Sequence, residues 1–558
     1  MREIQLRPWQ IEAMDKALKY YKSSNKHFII NAAPGCGKTI CASVIAKELI
    51  DSLTVERVIV IAPRSEVVRQ WSDEFEFVTG RPMLKVTGSD LDIDGYGLDL
   101  CATWSAVQNL KDGFHKVCSS SSTLIICDEH HHAAVKAAWG DGADSAFLNA
   151  KHVLVLTGTP IRSDGKETIW MAYDSNGQID HPQEGTYTLS YGQAVEYGYC
   201  RPATFHRHEG NFTVSLEGEK IASVNGSSCE TDLINKNKIS GLKEALDFYR
   251  LACTRQFIDD KKTPDVNAYQ GTMLKWGINK LNQARLEMPS AGGLVIAHNI
   301  EMAQYMCDIL EILEGEKPTL IHSQVTNPEQ KIDAFRRTNK RWLVSVAMVS
   351  EGVDIKRLRV LVYLPNAQTE LFFRQAIGRV VRSFGRNDNT SAYVVMPKIP
   401  QFEKFALNIE KEMPPKKINN IQRPQKKVCP ICDTDCSISA QQCDECGHEF
   451  FDIDDQMQPC FNCGHLNPLN NEDCDNCGSQ LQPSYKIELN EALRDGAIVR
   501  GMEIDENEVQ HGENISDTLQ KDILSSGDEV LIKILNKMPK ESLGRLVRMV
   551  DKSNLNPK

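Results

Sequence analysis

The chain has 558 residues, of which 41% are hydrophobic and 25% charged, values that are ordinary for a globular protein. Its formal net charge of −11 argues against a chain that coats nucleic acid non-specifically, although a basic groove on an acidic body remains compatible with it. At about 150 residues a domain, this length predicts roughly four structural units.

The N-terminus and the cysteine content predict a cellular compartment. The opening stretch MREIQLRPWQ lacks the apolar core of a secretory signal. No uninterrupted apolar run approaches the roughly 18 residues that a membrane span needs. We therefore expect a cytoplasmic protein, associated with the nucleoid if it is bacterial. In that reducing compartment the 18 cysteines should be thiols or metal ligands rather than a disulfide framework.

Short apolar runs, each followed by turn residues and a helical pattern, recur in two series along the chain. They predict strands at 27–33, 57–63, 123–129 and 152–160, and then at 293–298, 319–323, 342–347, 360–365 and 392–397. Continuous apolar strands that alternate with helices are typical of a parallel sheet covered on both faces. The sequence therefore predicts an α/β fold with two tandem parallel-sheet domains.

The segments between and after these domains have other patterns. Residues around Glu209-Gly210 alternate between apolar and polar, which predicts a hairpin, and amphipathic helical patterns follow. A stretch rich in Pro, Lys and Arg predicts an exposed linker. The predicted organisation is domain 1 at 1–199, an interdomain hairpin and helical segment at 200–288, domain 2 at 289–400, a basic linker at 401–428, a cysteine-rich block at 429–480 and a helical tail at 481–558.

The stretch AAPGCGKT at 32–39 follows a predicted strand and precedes a predicted helix, which is the context of a phosphate-binding loop. Its glycines let backbone N–H groups approach phosphate oxygens. Lys38 adds a positive charge, and the Thr39 hydroxyl is a Mg²⁺ ligand. The strict pattern begins with glycine where this chain has Ala32. The predicted nucleotide-binding residues of the loop are Gly35, Cys36, Gly37, Lys38 and Thr39.

Two carboxylates and three histidines end the third predicted strand, in the stretch LIICDEHHH at 124–132. Ligands bind at this end of the strands in open α/β sheets. Asp128 suits a hold on Mg²⁺, and Glu129 suits polarising an attacking water molecule. A zinc site at 130–132 is disfavoured, because three consecutive residues at a strand end cannot all face one ion. The histidines fit either a packed turn or a segment that relays the nucleotide state.

Eight motifs, of which the carboxylate and histidine stretch is one, make the chain resemble the superfamily 2 helicases of the DExH subgroup, over about residues 5–397. They are LRPWQ (6–10), IAPRSEVVRQW (61–71), ATWSAVQ (102–108), DEHH (128–131), LTGTP (156–160), GLVIAHN (293–299), MVSEGVDI (348–355) and QAIGRVVR (375–382). The first motif, the histidine-rich motif and LTGTP are most similar to DNA repair helicases of the RadD and XPB type. RadD-type proteins also have a C-terminal zinc module.

This resemblance implies an ATP-dependent DNA helicase or translocase that hydrolyses ATP between two RecA-like domains, with Mg²⁺ as cofactor. Arg379 and Arg382 would reach the γ-phosphate from the second domain, and their spacing of three on a helical pattern lets both face one way. The resemblance implies further nucleotide contacts by Gln10, Gly352, Asp354 and Gln375. It places on the nucleic-acid path Pro63, Arg64, Thr103, Thr157 and Thr159.

The cysteine-rich block contains an internal repeat. Residues 429–446 and 460–477 both fit C-x₂-C-x₁₀-C-x₂-C, with an offset of 31. Four thiolates close the coordination sphere of zinc, so the predicted sites are structural. A unit of about twenty residues cannot bury enough core without a metal. The predicted ligands are Cys429, Cys432, Cys443 and Cys446 for one Zn²⁺, and Cys460, Cys463, Cys474 and Cys477 for a second. Cys436 is a spare thiol with no assigned role.

Two other functions fit the same residues. Helicase motifs contact mainly the strand backbone, which carries little sequence information, so an RNA-directed enzyme is one alternative. The other is a nucleotide-switched adaptor that recruits protein partners through the zinc ribbons or the C-terminal tail. The basic linker favours nucleic acid as the partner of the ribbons, and acidic residues inside the repeats favour protein.

Overall fold

The structure is a computed structural model of the chain. The residues it describes are 5–63, 65–87, 93, 97–129, 145–158, 170, 172–173, 179–215, 221–226, 246–259, 263–322, 324–346, 355–384, 388 and 390–413, together with the C-terminal pieces 426–428, 435–437, 457–459, 466–468, 474–478, 481, 484–488 and 499–500.

The first domain is a seven-stranded sheet whose neighbouring strands all pair in parallel. Its strands are β1 (His27–Ala32), β2 (Arg57–Ala62), β3 (Met83–Val86), β4 (Asp99–Thr103), β5 (Thr123–Cys127), β6 (His152–Thr157) and, after the short pair β7 (Ala172–Tyr173) and β8 (Ile179–Asp180), β9 (Thr186–Leu189). The order is β3-β4-β2-β5-β6-β1-β9. Every residue of β2, β5 and β6 is buried, as their continuous apolar runs predict.

The second domain is a six-stranded parallel sheet in the order β10-β20-β18-β15-β17-β16. The strands of this part of the chain are β10 (Ala203–His208), β11 (Asn211–Ser215), β12 (Ile221–Asn225), β13 (Phe257–Asp259), β14 (Thr263–Pro264), β15 (Gly292–Ala297), β16 (Thr319–Ile321), β17 (Trp342–Val346), β18 (Leu358–Leu364), β19 (Ala367–Gln368) and β20 (Ala392–Pro397). The predicted fold class, α/β with two parallel-sheet domains, is confirmed.

Helices cover the two sheets. They are α1 (Pro8–Lys22), α2 (Lys38–Asp51), α3 (Ser65–Thr79), α4 (Trp104–Asn109), α5 (Lys111–Ser120) and α6 (Tyr191–Glu196), and then α7 (Phe248–Ala252), α8 (Tyr269–Glu287), α9 (Ile300–Glu314), α10 (Pro328–Arg337), α11 (Glu370–Val380) and α12 (Pro400–Glu412). Across the residues that the structure describes, none of the helices has both the length and the apolar character to cross a bilayer.

The segment between the two sheets differs from the prediction. Glu209-Gly210 does not turn a hairpin, because β10 pairs with β20 of the second sheet and the hairpin is β11–β12. Gly210 serves packing instead, since a Cβ there would lie 2.8 Å from the Tyr485 ring and 3.1 Å from the Tyr269 ring. The alternating pattern is real, but it runs through two strands that belong to different sheets.

The predicted linker at 401–428 also differs, because its first part is the helix α12. Phe402, Phe405, Ala406 and Ile409 are buried along one face of this helix. Their spacing of three, four and seven residues is that of an amphipathic helix on a core. The second domain therefore extends to Glu412, and the stretch rich in Pro, Lys and Arg begins after it.

Six short strands follow in the C-terminal part, namely β21 (Lys426–Val428), β22 (Asp435–Ser437), β23 (Met457–Pro459), β24 (Leu466–Pro468), β25 (Ser484–Glu488) and β26 (Val499–Arg500), the last of which pairs with β19. The hairpins β21–β22 and β23–β24 repeat with the 31-residue offset of the cysteines. Strand β25 lies in the predicted helical tail, yet it pairs in parallel with β11. Its Tyr485 is buried, with its hydroxyl 2.8 Å from Thr272 Oγ1.

The zinc ligands fall mostly beyond what the structure describes. Six of the eight cysteines lie outside the described residues, namely Cys429, Cys432, Cys443, Cys446, Cys460 and Cys463. Cys474 is buried, and its Sγ accepts a hydrogen bond from Asn467 Nδ2 at 3.5 Å. Among the described residues, no cluster of three or more metal-ligating side chains is found. The two zinc sites stay a prediction.

Candidate nucleotide site between the domains

The glycine-containing loop joins the end of β1 to the start of α2. Gly35 has a φ of 79° and Gly37 a φ of 90°, both in the left-handed region that favours glycine. Gly37 is also the N-cap of α2, so the N–H groups of the first helical turn point toward the loop. Unpaired N–H groups at a helix N-terminus bind phosphate oxygens.

Lys38 lies between the ends of two neighbouring strands. Its Nζ donates a hydrogen bond to the Ala32 carbonyl at 2.9 Å. A Cβ on Gly158, just after β6, would lie 2.9 Å from the same Nζ atom. The ammonium group is thus held over the carboxyl edge of the sheet by the chain's own loop. A phosphate group in the loop would be a stronger partner than this neutral carbonyl.

Two residues at the start of α1 brace the loop from outside. Gln10 is buried, and its side chain accepts from Arg7 N at 2.8 Å while its Nε2 donates to Gly37 O at 2.9 Å. Arg7 Nη1 donates to Cys36 O at 3.0 Å, and its guanidinium stacks 4.5 Å above the Tyr199 ring. Both ends of the Gln10 amide therefore have protein partners, and its contact with adenine stays a prediction.

Asp128 and Glu129 follow β5 at the same edge of the sheet. Trp71 Nε1 donates to Asp128 Oδ2 at 2.8 Å, and Glu129 N donates to Oδ1 at 3.1 Å. Burial, and then the charge of Glu129, raises the pKa of Asp128 to about 6. Glu129 has a φ of 46°, which costs a non-glycine residue about 1–2 kcal/mol. Such strained residues cluster at functional sites.

The second domain contributes α11 and the residues after it. Gln375 and Arg379 are buried on this helix. The prediction that the helical pattern includes Arg382 is wrong, because α11 ends at Val380 and Arg382 forms a β-bridge with Cys200. The chain leaves the helix here to pair with the strand-like segment that precedes β10.

Arg382 nevertheless lies against the phosphate-binding loop of the first domain. A Cβ on Gly35 would lie 2.9 Å from Arg382 Cγ and 3.5 Å from its Cβ and Cδ. One turn earlier, a Cβ on Gly378 would lie 2.9 Å from the Pro34 ring. The two domains therefore meet through two glycines whose missing side chains permit the contact.

A buried charge network fixes the turn that carries Arg382. Arg201 is 1% exposed, and it donates to Asp388 Oδ2 at 2.6 Å and to the Val380 carbonyl at 2.6 Å. Asp388 Oδ2 also accepts from Phe384 N at 2.6 Å. Burial alone would raise the pKa of Asp388, but hydrogen bonds from Thr390 and Arg201 hold it well below its usual range. The carboxylate is thus ionised. Through Arg201 it is connected to the Val380 carbonyl before Arg382, and it binds the Phe384 N–H after Arg382.

The predicted nucleic-acid residues that the structure describes lie at the carboxyl ends of parallel strands, which share one edge of the sheet. Pro63 follows β2, and Thr157 ends β6 and is buried. Thr103 ends β4 and caps α4, with its Oγ1 accepting from Ala106 N at 3.3 Å. Outside the described residues lie Arg64, Thr159, Gly352, Asp354 and the histidines His130, His131 and His132.

Three residues with a clear place in the site were not predicted from the sequence. Trp71 ends the motif IAPRSEVVRQW, but nothing local shows that its N–H reaches Asp128. Arg7 lies three residues before the predicted Gln10 in the motif LRPWQ, and its contact with Cys36 O depends on the loop's final path. Cys200 has no sequence signal, since it lies 164 residues from Cys36.

Comparison with known families agrees with this geometry. Residues 3–162 match the family described as "Type III restriction enzyme, res subunit", and residues 278–384 match "Helicase conserved C-terminal domain". Each of the two parallel sheets thus contains a segment that matches a family model, and the second model is by its description a helicase domain. The first match contains the loop with Asp128 and Glu129, and the second contains α11 and Arg382. The cleft therefore lies between the two matched segments.

Full-length relatives are longer than this chain. An uncharacterized protein of Mycobacterium leprae is 31% identical over 411 residues, which are 73% of this chain and 64% of the relative. One from Mycobacterium tuberculosis is 31% identical over 409 residues, 73% of this chain and 63% of the relative. The Escherichia coli type I restriction enzyme EcoAI endonuclease subunit is 25% identical over 392 residues, 67% and 44% of the two chains. The chain spans less than two thirds of the length of these relatives.

Solved structures show a weaker likeness. The ATP-dependent type ISP restriction-modification enzyme LlaBIII bound to DNA is 16% identical with a TM-score of 0.45, over 74% of this chain and 30% of that one. Dbp5 of S. cerevisiae bound to RNA and ADP BeF3 is 12% identical with a TM-score of 0.42, over 73% of this chain and 91% of that one. Both TM-scores are below 0.5, so the fold rests on the two sheets described above.

We expect Gly35→Ala to weaken the binding of an ATP analogue about tenfold or more. A residue with a Cβ is strained by about 1–2 kcal/mol at a φ of 79°, and this Cβ would also meet Arg382. Titration of the full chain with a fluorescent ATP analogue measures the change. Gly80→Ala is the matched control, because Gly80 has a φ of 73° and no described atom within 4 Å of a Cβ. Equal affinities in the two variants would contradict the closure of the site by Arg382.

Proposed function

We propose that the chain is an ATP-dependent helicase or translocase that acts on nucleic acid, with DNA as its preferred substrate. It hydrolyses ATP in the cleft between two RecA-like domains. The observation that carries this proposal is the packing of Arg382 from the second domain onto Gly35 in the phosphate-binding loop of the first. A nucleotide in that loop would be contacted by both domains at once.

The loop and the strand ends have the donors and acceptors that MgATP requires. The N–H groups around Gly35 and Gly37 and the ammonium of Lys38 would bind the phosphates. Thr39 and Asp128 would hold Mg²⁺, because a hydroxyl and a carboxylate are the oxygen ligands that this ion prefers. The ion would supply charge neutralisation at the phosphates. Asp128 and Glu129 are adjacent carboxylates, and burial and then the charge of Glu129 raise the pKa of Asp128, so a cation at this place would be favourable.

Hydrolysis would need a residue that orients water and residues that stabilise charge on the γ-phosphate. Glu129 would orient the water, since its strained backbone places a carboxylate at the strand end beside Asp128. Arg379 and Arg382 supply guanidinium groups, whose planar fork pairs with two phosphate oxygens. Arginines that enter from another domain raise hydrolysis rates by about 10³–10⁵ in related phosphoryl-transfer sites.

Loss of the γ-phosphate would then allow the domains to separate. The contacts of Gly35 with Arg382 and of Pro34 with Gly378 cross the cleft, and both must open for nucleotide exchange. Opening and closing of two domains that hold one strand moves the strand stepwise. The strand would pass over the edge that carries Pro63, Arg64, Thr103, Thr157 and Thr159.

DNA is favoured over RNA by the motifs similar to RadD- and XPB-type repair helicases. It is also favoured by the relative whose name is that of a type I restriction enzyme endonuclease subunit. The RNA-directed enzyme and the nucleotide-switched adaptor are the alternatives that the experiment below distinguishes. An adaptor would need no intact machinery for hydrolysis, whereas this chain has Lys38, Glu129, Arg379 and Arg382.

We also propose that the cysteine repeats bind two structural Zn²⁺ ions. The support is the repeated hairpin, in which Val428 pairs with Asp435 and Pro459 pairs with Leu466. In the sequence, the first C-x₂-C pair of each repeat lies between the two strands of its hairpin, a spacing that suits two ligands of one zinc ion. Cys436 pairs with Lys427 along the strand and is not part of that C-x₂-C pair.

The leading function predicts hydrolysis that depends on nucleic acid and on Glu129. We expect duplex or single-stranded DNA to stimulate ATP turnover at least about tenfold more than RNA. Glu129→Gln should lower turnover at least about 100-fold while ATP still binds, because the amide cannot polarise water as the carboxylate does. Phosphate release measured in parallel with the three nucleic acids tests this.

Glu301→Gln is the control for that experiment, since Glu301 is half-exposed and pairs with Arg255 on the surface. It should leave turnover unchanged. Stimulation by RNA alone would make the chain an RNA-directed enzyme. Turnover in Glu129→Gln equal to that of the unchanged chain would remove the hydrolytic role of this site.

The zinc proposal predicts two metal ions per chain in elemental analysis of the purified protein. Cys443→Ser should lower the content to one, because an oxygen in place of a thiolate opens a closed four-thiolate site. Cys436→Ser is the matched control and should keep both ions. If Cys436→Ser loses zinc as Cys443→Ser does, or if the unchanged chain binds none, the predicted ligand sets are wrong.

A further inference from the structure

Two thiols meet where the domains meet. Cys36, in the middle of the phosphate-binding loop, has its Sγ 3.9 Å from the Sγ of Cys200. Cys200 precedes β10 and forms the β-bridge with Arg382, so it belongs to the second domain's side of the cleft. Its Sγ also lies 3.2 Å from the Pro34 carbonyl. Cys36 is 0% and Cys200 is 3% exposed.

We propose that a hydroperoxide converts Cys36 and Cys200 into a disulfide, which clamps the two domains together and blocks nucleotide exchange. The consequence for turnover rests on the proposed function, whereas the bond itself does not. In a reducing compartment such a disulfide is a transient, reversible modification rather than a structural one. It would stop the protein under oxidising conditions and be undone by cellular thiols.

The local geometry suits bond formation. The two sulfur atoms must approach by about 2 Å to reach a disulfide bond length. Gly35 and Gly37 flank Cys36, and glycines on both sides give this backbone more freedom than any other residue pair would. Arg201 N donates to Val381 O at 2.7 Å, which holds Cys200 beside the end of α11. The movement can therefore come from the loop.

The surroundings of Cys36 make it the attacking thiol. The contact with the Cys200 thiol lowers the pKa of Cys36, burial opposes this, and the positive charges of Lys38, Arg7 and Arg382 lower it further. A lowered pKa increases the fraction of thiolate, which is the reactive form. By contrast, burial raises the pKa of Cys41 and of Cys307 to about 12. Those thiols stay protonated and inert.

The chemistry balances in two steps. The Cys36 thiolate attacks one oxygen of hydrogen peroxide, the O–O bond breaks, and a sulfenic acid and one water form. The Cys200 thiol then attacks the Cys36 sulfur, the S–O bond breaks, and a second water leaves. The two thiols lose two electrons and the peroxide gains them. The net change is two thiols and one peroxide to one disulfide and two waters.

The bond can be detected directly. The full chain is treated with hydrogen peroxide, its remaining thiols are blocked, and the proteolytic peptides are examined by mass spectrometry before and after dithiothreitol. We expect a peptide pair that joins Cys36 to Cys200 and disappears on reduction. The exchange rate of a fluorescent ATP analogue should fall at least about tenfold on oxidation and recover on reduction, because a covalent clamp prevents domain opening.

Cys200→Ser separates this bond from other oxidations. The serine cannot form the disulfide and leaves the loop's own residues unchanged, so nucleotide exchange should resist peroxide. Cys307→Ser is the matched control, because Cys307 is a buried cysteine of α9 and its loss should leave the sensitivity intact. Oxidation of the C-terminal cysteines affects both variants equally and cancels in the comparison.

Two results would overturn the inference. One is the absence of a Cys36–Cys200 peptide at peroxide concentrations that slow nucleotide exchange. The other is a Cys200→Ser variant that is as sensitive as the unchanged chain. If that variant does not fold, the peptide map of the unchanged chain decides alone. The map is independent of ATP hydrolysis, so a chain that proves inactive would defeat the proposed function and leave this test standing.

Discussion

The close approach of Arg382 to Gly35 is the contact on which the rest of the site depends. A side chain on Gly35 would occupy the space of the Arg382 methylene groups. Four residues before Arg382, a side chain on Gly378 would likewise occupy the space of the Pro34 ring. These contacts bring a guanidinium of one domain to the loop of the other. The nucleotide would then act as a charged link between the domains, and its hydrolysis would change their attraction.

Two sets of buried polar contacts orient the phosphate-binding loop and the turn that carries Arg382. On one side, Arg7 and Gln10 bind the loop carbonyls of Cys36 and Gly37. On the other, Asp388 receives hydrogen bonds from Arg201 and from the backbone after α11. Burying such charges costs free energy unless each is paired, so they stabilise the fold little. Their contribution is orientation, because they fix the path of the loop and of the turn that carries Arg382.

Local patterns predicted most of the fold and the loop, but not the contacts that complete the site. Continuous apolar runs identified nine of the strands, and the spacing of Gly35, Gly37 and Lys38 identified the loop. The bond from Trp71 to Asp128 spans 57 residues and the Cys36–Cys200 contact spans 164, so no local pattern encodes them. The false hairpin has a related cause, since periodicity shows that a strand alternates but not which sheet it joins.

Single-turnover hydrolysis by Arg382→Ala tests the central claim most directly, because that variant removes the guanidinium and keeps every group of the first domain. With saturating DNA, we expect the rate of ATP cleavage to fall at least about 100-fold while ATP affinity changes less than about fivefold, as befits a group that acts on the transition state. Arg382→Lys should recover little, since an ammonium lacks the planar fork. Cleavage by Arg382→Ala at the rate of the unchanged chain would contradict a site shared between the two domains.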